Sequence, residues 1–282
     1  VNLTTRFAPS PTGPLHLGHA YSALLAYDMA QAAGGQFLLR IEDIDQSRAR
    51  PEWEAQIYDD LRWLGLEWPE PVMRQSERLP VYQQALAQLE AKGLLYRCTC
   101  NRRDIESAIA APQEGTPAAY GPDGMIYPGT CRTLDHTDEN AALRLDMEKA
   151  CLYLGAPDLS FVETGPAHTG RKTITPHELI HTVGDIVLAR RDMGTSYHLS
   201  VVLDDAAQSI TDVIRGEDLF EATKIHLLLQ TLLDLSTPTY HHHALIRDDA
   251  GKRLAKRDDA RAITKYRADG ATPSDIRKMV GL

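Results

Sequence analysis

Four cysteines in 282 residues are too few for a disulfide framework in a chain of this size. Two of them stand together in Cys98-Thr-Cys100, a pattern of metal binding or of free thiols in a reducing compartment. Long apolar runs are missing too. None approaches the roughly 18 residues of a membrane-spanning helix, and the first residues lack a signal-peptide pattern, so a cytoplasmic protein with no membrane partner is expected. Nor is there a basic excess: the net charge of −9 excludes a body coated in positive surface. Residues 241–282 nevertheless hold ten Lys or Arg against six Asp or Glu, so a local basic groove for RNA stays open. The remaining composition is that of an ordinary globular protein, with length for about two domains.

What is present begins at residues 6–19, Arg-Phe-Ala-Pro-Ser-Pro-Thr-Gly-Pro-Leu-His-Leu-Gly-His. Phe7 and Ala8 read as a strand end, the Pro/Gly run forbids regular structure, and apolar spacing from Leu17 onward predicts a helix. A strand, a tight turn and a helix N-terminus open a nucleotide-binding α/β unit, because the unpaired N–H groups and the dipole favour an anion. His16 and His19 flank Gly18 there. Imidazoles can donate to a phosphoryl oxygen as charge develops, and a glycine admits a flat ring against the backbone.

Gly34-Gly35 ends this helix, and Gln36–Ile41 reads as a second strand running into Glu42, Asp43 and Asp45, carboxylates at a strand end. Amphipathic helices over 51–64 and 80–92 carry core stripes. A strand over 94–100 then leads into Cys98, Cys100 and, after a loop, Tyr127-Pro-Gly-Thr-Cys131. Three thiolates leave one position of a tetrahedral zinc for Tyr127, His136 or His168, and ligand chemistry alone favours the imidazole of His136. Short apolar runs over 141–189 suggest a small mixed α/β insertion, in which 165–181 gives no clear signal. Tyr197–Asp205 and Ile210–Arg215 follow as elements feeding a cleft. A planar guanidinium at Arg215 suits a carboxylate ligand; a surface ion pair with Glu217 or Asp218 is the plainer use. His241, His242 and His243 cannot all face one ion if they lie on a strand, and read as scaffold. Gly251–Arg257 is a basic loop centred on Lys256.

Together these stretches resemble the class I aminoacyl-tRNA synthetases. Residues 6–19 match the first signature in its glutamate and glutamine form, Arg40-Ile-Glu-Asp and Ile214-Arg-Gly-Glu-Asp match that branch, and 252–257 resembles the second signature, with Ala255 where serine is usual. The resemblance implies an α/β fold: a Rossmann-like parallel sheet in two halves (1–93 and 191–246), an inserted zinc-bearing subdomain (94–190), and a mobile loop with a helical stub (247–282). It implies that His16, Gly18, His19 and Lys256 hold ATP with Mg2+, and that His16, His19 and Lys256 are catalytic. It implies that Arg6, Ala8, Ser10, Glu42, Tyr197 and Arg215 hold L-glutamate. Val201 departs from the asparagine usual four positions after the tyrosine.

The Cys-x-Cys and Tyr-x-x-x-Cys spacing resembles the short tRNA-modifying branch, which implies one structural zinc on Cys98, Cys100, Tyr127 and Cys131. So few residues follow Arg257 that no anticodon reader is expected, and they show no aromatic-basic RNA platform. The nearly full-length likeness is to the glutamyl-queuosine tRNA(Asp) synthetase family. The partners implied are ATP, glutamate and queuosine-bearing tRNA(Asp), and the enzyme a monomer. Alternatives are a glutamyl-tRNA synthetase core charging the tRNA 3′ end, or a small-molecule adenylyltransferase using the same histidine motif.

Overall fold

A computed structural model describes residues 2–110, 119–247 and 261–282. Strand β1 (Thr4–Phe7) is followed by helix α1 (Leu17–Ala32), β2 (Gln36–Ile41), α2 (Pro51–Trp63), β3 (Met73–Arg74) and α3 (Leu79–Ala91). Strands β1, β2 and β3 form a parallel sheet in that order. Parallel strands need crossovers, and the buried stripes of α1 and α2 (Ala20, Ala23, Leu24; Ile57, Leu61) face the core that includes Phe37, Leu39 and Ile41.

Then come β4 (Leu95–Cys98), α4 (Arg102–Ala110), the short hairpin β5 (Tyr120–Gly121) and β6 (Gly124–Met125), β7 (Ala142–Leu145) and α5 (Met147–Tyr153). They are followed by β8 (Leu159–Glu163), β9 (Gly170–Ile174), a single helical turn α6 (Pro176–Glu178) and β10 (Val187–Ala189). The segment without a sequence signal is thus a strand and a turn: β9 has exposed Arg171 and Thr173 and lacks an apolar face long enough to read. Residues 94–190, expected as one insertion, contribute to three sheets, of which β5 and β6 form the smallest. β10, β7 and β4 pair with one another, whereas β8 joins the strands of the second half through Tyr240 and Glu163.

The second half is α7 (Tyr197–Ala207), β11 (Asp212–Gly216), α8 (Thr223–Leu232) and β12 (Thr239–His243), with β11 parallel to β12. Thr211 N donates to Thr4 O at 3.0 Å, which sets β11 beside β1. The expected helical stub is two helices, α9 (Ile263–Ala268) and α10 (Pro273–Val280), whose Ile263, Ile276 and Val280 share a core with Phe7, Leu17 and Leu24. Arg277 clasps Asp28 of α1 at 2.7 and 2.9 Å. Among the described residues no helix is long and apolar enough to cross a membrane.

Candidate functional site

From β1 the chain steps outward to β2 and β3; from β11 it steps the other way to β12. The crevice where that order reverses is where open α/β sheets take ligands. A cavity of about 280 Å³ lies there, lined by Arg6 and Ala8 from β1 and its loop, His16, Gly18 and His19 at the start of α1, and Glu42 after β2. Tyr197, Arg215 and His243 close it from the second half. Ser10 lines an adjoining cavity of about 200 Å³ that shares Glu42 and Tyr197 with the first. The sequence-derived residues therefore converge on one place, except Lys256, which lies outside the described residues with the rest of Gly251–Arg257. The described chain on either side of that loop meets the site: Ile246 lines the cavity, and Ala262 pairs with His16. Val201 does not. It packs in the hydrophobic core at 2% exposure.

His16 caps α1. Its Nδ1 accepts from Gly18 N at 3.2 Å, and His19 Nδ1 accepts from His16 N at 3.1 Å. With both Nδ1 atoms accepting, the proton of each neutral ring sits on Nε2. A Cβ on Gly18 would lie 3.1 Å from His16 Cε1, so the glycine is what lets the ring fold over the first turn.

The two arginines of the cavity are held differently. Arg6 meets a carboxylate directly, with Nε and Nη2 on Asp205 at 2.8 and 3.2 Å. Asp205 also takes Arg40 at 2.8 Å, and Arg40 reaches Glu42 at 3.1 Å. Burial opposes the charge on Asp205, yet Arg6 and Arg40 hold its carboxyl below the ordinary range. Burial wins at Glu42, whose carboxyl is raised against Arg40 and Arg6. Asp205 carried no sequence signal, since it reads as an ordinary helical position, and Arg40 entered only as the first residue of the Arg40-Ile-Glu-Asp motif, with no role of its own.

Arg215 has no carboxylate at ion-pair distance among the described residues; neither Glu217 nor Asp218 is its partner. Its Nε donates to His242 Nε2 and its Nη1 to His226 Nδ1, both at 3.0 Å. Its Nη2 serves Leu219 O and Thr223 Oγ1 at 3.2 and 2.8 Å. Four of the five guanidinium N–H groups are thereby spent, so a ligand meets the remaining Nη1 proton, and two parallel bonds would need one of these released. Because Arg215 only donates, His242 must carry its proton on Nδ1, which meets Glu163 Oε2 at 2.6 Å. Burial and Arg215 pull His242 down to about 4, and burial with Arg215 holds His226 well below the usual imidazole range. The imidazoles around the guanidinium are neutral, and its charge stays uncancelled. The three consecutive histidines alternate as a strand requires, but two belong to the site: His242 holds Arg215, and His243 lines the cavity and bonds Ser22 at 2.7 Å. Their position at the carboxyl end of a strand was the available signal.

In the insertion the sulfurs of Cys98, Cys100 and Cys131 lie within 4.8 Å of one another. Tyr127 Oη is 3.5 Å from Cys98 Sγ and 3.3 Å from Cys100 Sγ, and accepts from Cys131 N at 2.9 Å. Zinc–sulfur bonds of ~2.3 Å in a tetrahedron put sulfurs about 3.8 Å apart, so the set fits the metal. Tyr127 touches the whole cluster, whereas the buried Nε2 of His136 has no hydrogen-bond partner among the described residues.

Residues 2–282 match the family of class I (E and Q) tRNA synthetase catalytic domains. A glutamyl-Q tRNA(Asp) synthetase of Rhodobacter capsulatus is 64% identical over 99% of this chain and all of its own length. One from Nocardia farcinica is 42% identical over 96% of this chain and 81% of its own length. Among solved structures, the glutamate-tRNA synthetase of Elizabethkingia anophelis superposes with a TM-score of 0.78 at 26% identity, covering all of this chain and 61% of that one. A Mycobacterium tuberculosis methionyl-tRNA synthetase, at 8% identity, shares the fold, with a TM-score of 0.61 over 99% of this chain and 63% of that one. The chain belongs to the class I tRNA synthetases of the E and Q type, and within them to the glutamyl-Q tRNA(Asp) synthetases, a group of ligases.

Proposed function

We propose that the protein activates L-glutamate with ATP, without needing tRNA, and passes it to the queuosine base in the anticodon loop of tRNA(Asp). The observation that carries this reading is Arg215: an uncancelled guanidinium in the cavity that also receives the paired histidines of α1. A buried positive charge held by neutral acceptors is a receptor for a carboxylate.

In the first step a carboxylate oxygen of glutamate attacks the α-phosphorus, the bond to the bridging oxygen breaks, and pyrophosphate leaves. Arg215 holds the side-chain carboxylate, and Tyr197 packs along the chain. Glu42 accepts from the α-ammonium, which draws its carboxyl back toward ionisation, and Arg6, Ala8 and Ser10 complete the clamp. His16 and His19 donate from Nε2 to phosphoryl oxygens, Gly18 keeps the approach open, and Lys256 adds a cation to the leaving group. Losing one such donor typically costs roughly 3–4 kcal/mol, a few hundred-fold in rate. Mg2+ bound with ATP supplies charge neutralisation on the phosphates. In the second step a hydroxyl of the queuosine cyclopentenediol attacks the anhydride carbonyl, the bond between that carbon and the phosphate oxygen breaks, the hydroxyl proton passes to solvent, and AMP leaves. Cys98, Cys100, Tyr127 and Cys131 would hold a structural zinc that stiffens the insertion facing the RNA.

Glutamylation of tRNA(Asp) with and without queuosine tests the reading, and mild periodate treatment of the product locates the ester. Acceptance only by the queuosine-bearing tRNA is expected. Equal charging of both would transfer the assignment to the tRNA 3′ end. Arg215→Ala should remove the preference for glutamate over glutamine in pyrophosphate exchange, and a variant that keeps it would overturn the pocket.

A further inference from the structure

Beyond Arg215 the hydrogen bonds continue in one direction. His226 accepts on Nδ1, so its proton is on Nε2 and meets His198 Nδ1 at 3.1 Å. His198 then carries its proton on Nε2, which meets Asp123 Oδ1 at 3.1 Å. Each ring has only one donor and one acceptor when neutral, so a single choice at the guanidinium sets every later tautomer. Asp123 stands in the turn between β5 and β6, far along the chain from the catalytic sheet, and its side chain is one-third exposed. It lines a further cavity of about 530 Å³ together with Cys100, Arg144 and Arg191.

We propose that Asp123 is a positioning residue for amino-acid selection, acting on Arg215 through His198 and His226. The inference rests on the reading of the cavity as a glutamate pocket. The logic is electrostatic. A carboxylate placed directly on Arg215 would occupy the charge that the ligand needs. Two neutral rings between them transmit orientation and leave the charge exposed to the ligand. Without the terminal acceptor, His198 is free to turn or to exchange tautomers, and His226 can then present a proton to Arg215 where it now presents a lone pair. The hairpin of the insertion thereby takes part in shaping the amino-acid pocket.

The test compares wild type, Asp123→Ala and Asp123→Asn in glutamate-dependent ATP–pyrophosphate exchange, with ring-nitrogen NMR of His198 and His226. Asp123→Ala should raise the KM for glutamate about five- to tenfold, leave the KM for ATP and the kcat at saturating glutamate within twofold, and shift His226 away from the Nε2–H form. Asp123→Asn keeps an oxygen acceptor and should recover most of both effects. An unchanged KM for glutamate, or an equal rise in the KM for ATP, overturns the proposal. If wild type shows no exchange with glutamate, the functional reading falls; the ring nitrogens then decide the relay, which unchanged tautomers in Asp123→Ala would refute and shifted ones uphold.

Discussion

Glu163 accepts the Nδ1–H of His242 at 2.6 Å, one ring away from the guanidinium of Arg215. The other oxygen of Glu163 accepts backbone N–H groups of Gly165 and His242, at 2.6 and 2.9 Å. Gly165 is needed for this, since a Cβ there would lie 2.7 Å from that oxygen and 2.2 Å from His242 O. Both faces of the carboxylate are therefore acceptors, and burial of Glu163 is overcome by these bonds, which hold its carboxyl below the ordinary range.

Glu163→Gln exploits that symmetry. An amide cannot accept on both sides: its NH2 must confront either the two backbone donors or the His242 proton. The first strands buried N–H groups, and the second drives the proton to Nε2, where it opposes Arg215. We expect a stability loss of about 2 kcal/mol in denaturant unfolding and a higher KM for glutamate with the KM for ATP unchanged. A variant with wild-type stability and KM would show that the ring tautomer is immaterial.

At the nucleotide end, His16→Ala removes both a cap and a phosphoryl donor. ATP–pyrophosphate exchange should fall by two to three orders of magnitude, while glutamate binding by calorimetry persists. Gly18→Ala separates the two roles: the His16 ring must shift by a few tenths of an ångström, so exchange should drop less, with helix stability nearly intact. Equal losses in the two variants would mean that the placement of the donor, which Gly18→Ala disturbs, and not the cap, which it keeps, is what matters, and wild-type exchange in Gly18→Ala would show that the exact ring position is immaterial.

How far the sequence reached can be judged element by element. The start of α1 at Leu17 and the limits of β2 follow from local spacing, because each is decided by its own apolar stripe, cap or glycine stop, whereas the C-terminal stub was expected without its division into two helices. The cavity residues were legible as a set through the family resemblance, and strand ends and helix starts placed His16, His19, Glu42 and Arg215 one at a time. What stayed hidden is pairing across distance. Asp205, Arg40, Glu163, His226 and Asp123 meet their partners only once the halves of the sheet close, and no period in the sequence encodes such a meeting. The β8–β9 hairpin stayed hidden for the same reason: its membership in the second sheet depends on β12, far along the chain.

Asp60 offers a stability test away from the site. It is fully buried on α2, and neither carboxylate oxygen has a hydrogen-bond partner among the described residues. Burial, with Asp59 adding repulsion, pushes its carboxyl up to about 6. The folded state thus keeps a proton that the unfolded chain releases near 3.8, so stability contributed here falls as pH rises from about 4 to 6 and stays low above. The full difference is about 2–3 kcal/mol. Asp60→Asn should raise stability at pH 8 by about 1–2 kcal/mol, since a buried amide keeps some of the cost. Its advantage should vanish near pH 4. A pH-independent difference between variant and wild type would place the cost elsewhere.

The last prediction concerns the thiols. Cys98, Cys100 and Cys131 converge with Tyr127 on a point between β4 and the chain after the β5–β6 hairpin, and among the described residues no large apolar core backs them: Ile105 is the one other buried apolar side chain described in that cluster. A cluster this small cannot by itself offset the conformational entropy of the segments it joins, which makes a bound ion the natural source of the missing stability. One zinc per chain is expected by elemental analysis of protein purified without chelator. Cys100→Ser should lose it, and Tyr127→Phe should weaken it, because the phenol oxygen is the proposed fourth ligand. His136→Ala should leave the metal content unchanged. Loss of zinc in His136→Ala with retention in Tyr127→Phe would reverse the choice of fourth ligand, and a metal-free wild type with an ordered insertion would remove the metal from the account. Since Asp123 projects from the hairpin beside this cluster, zinc removal should also raise the KM for glutamate, in the same direction as Asp123→Ala.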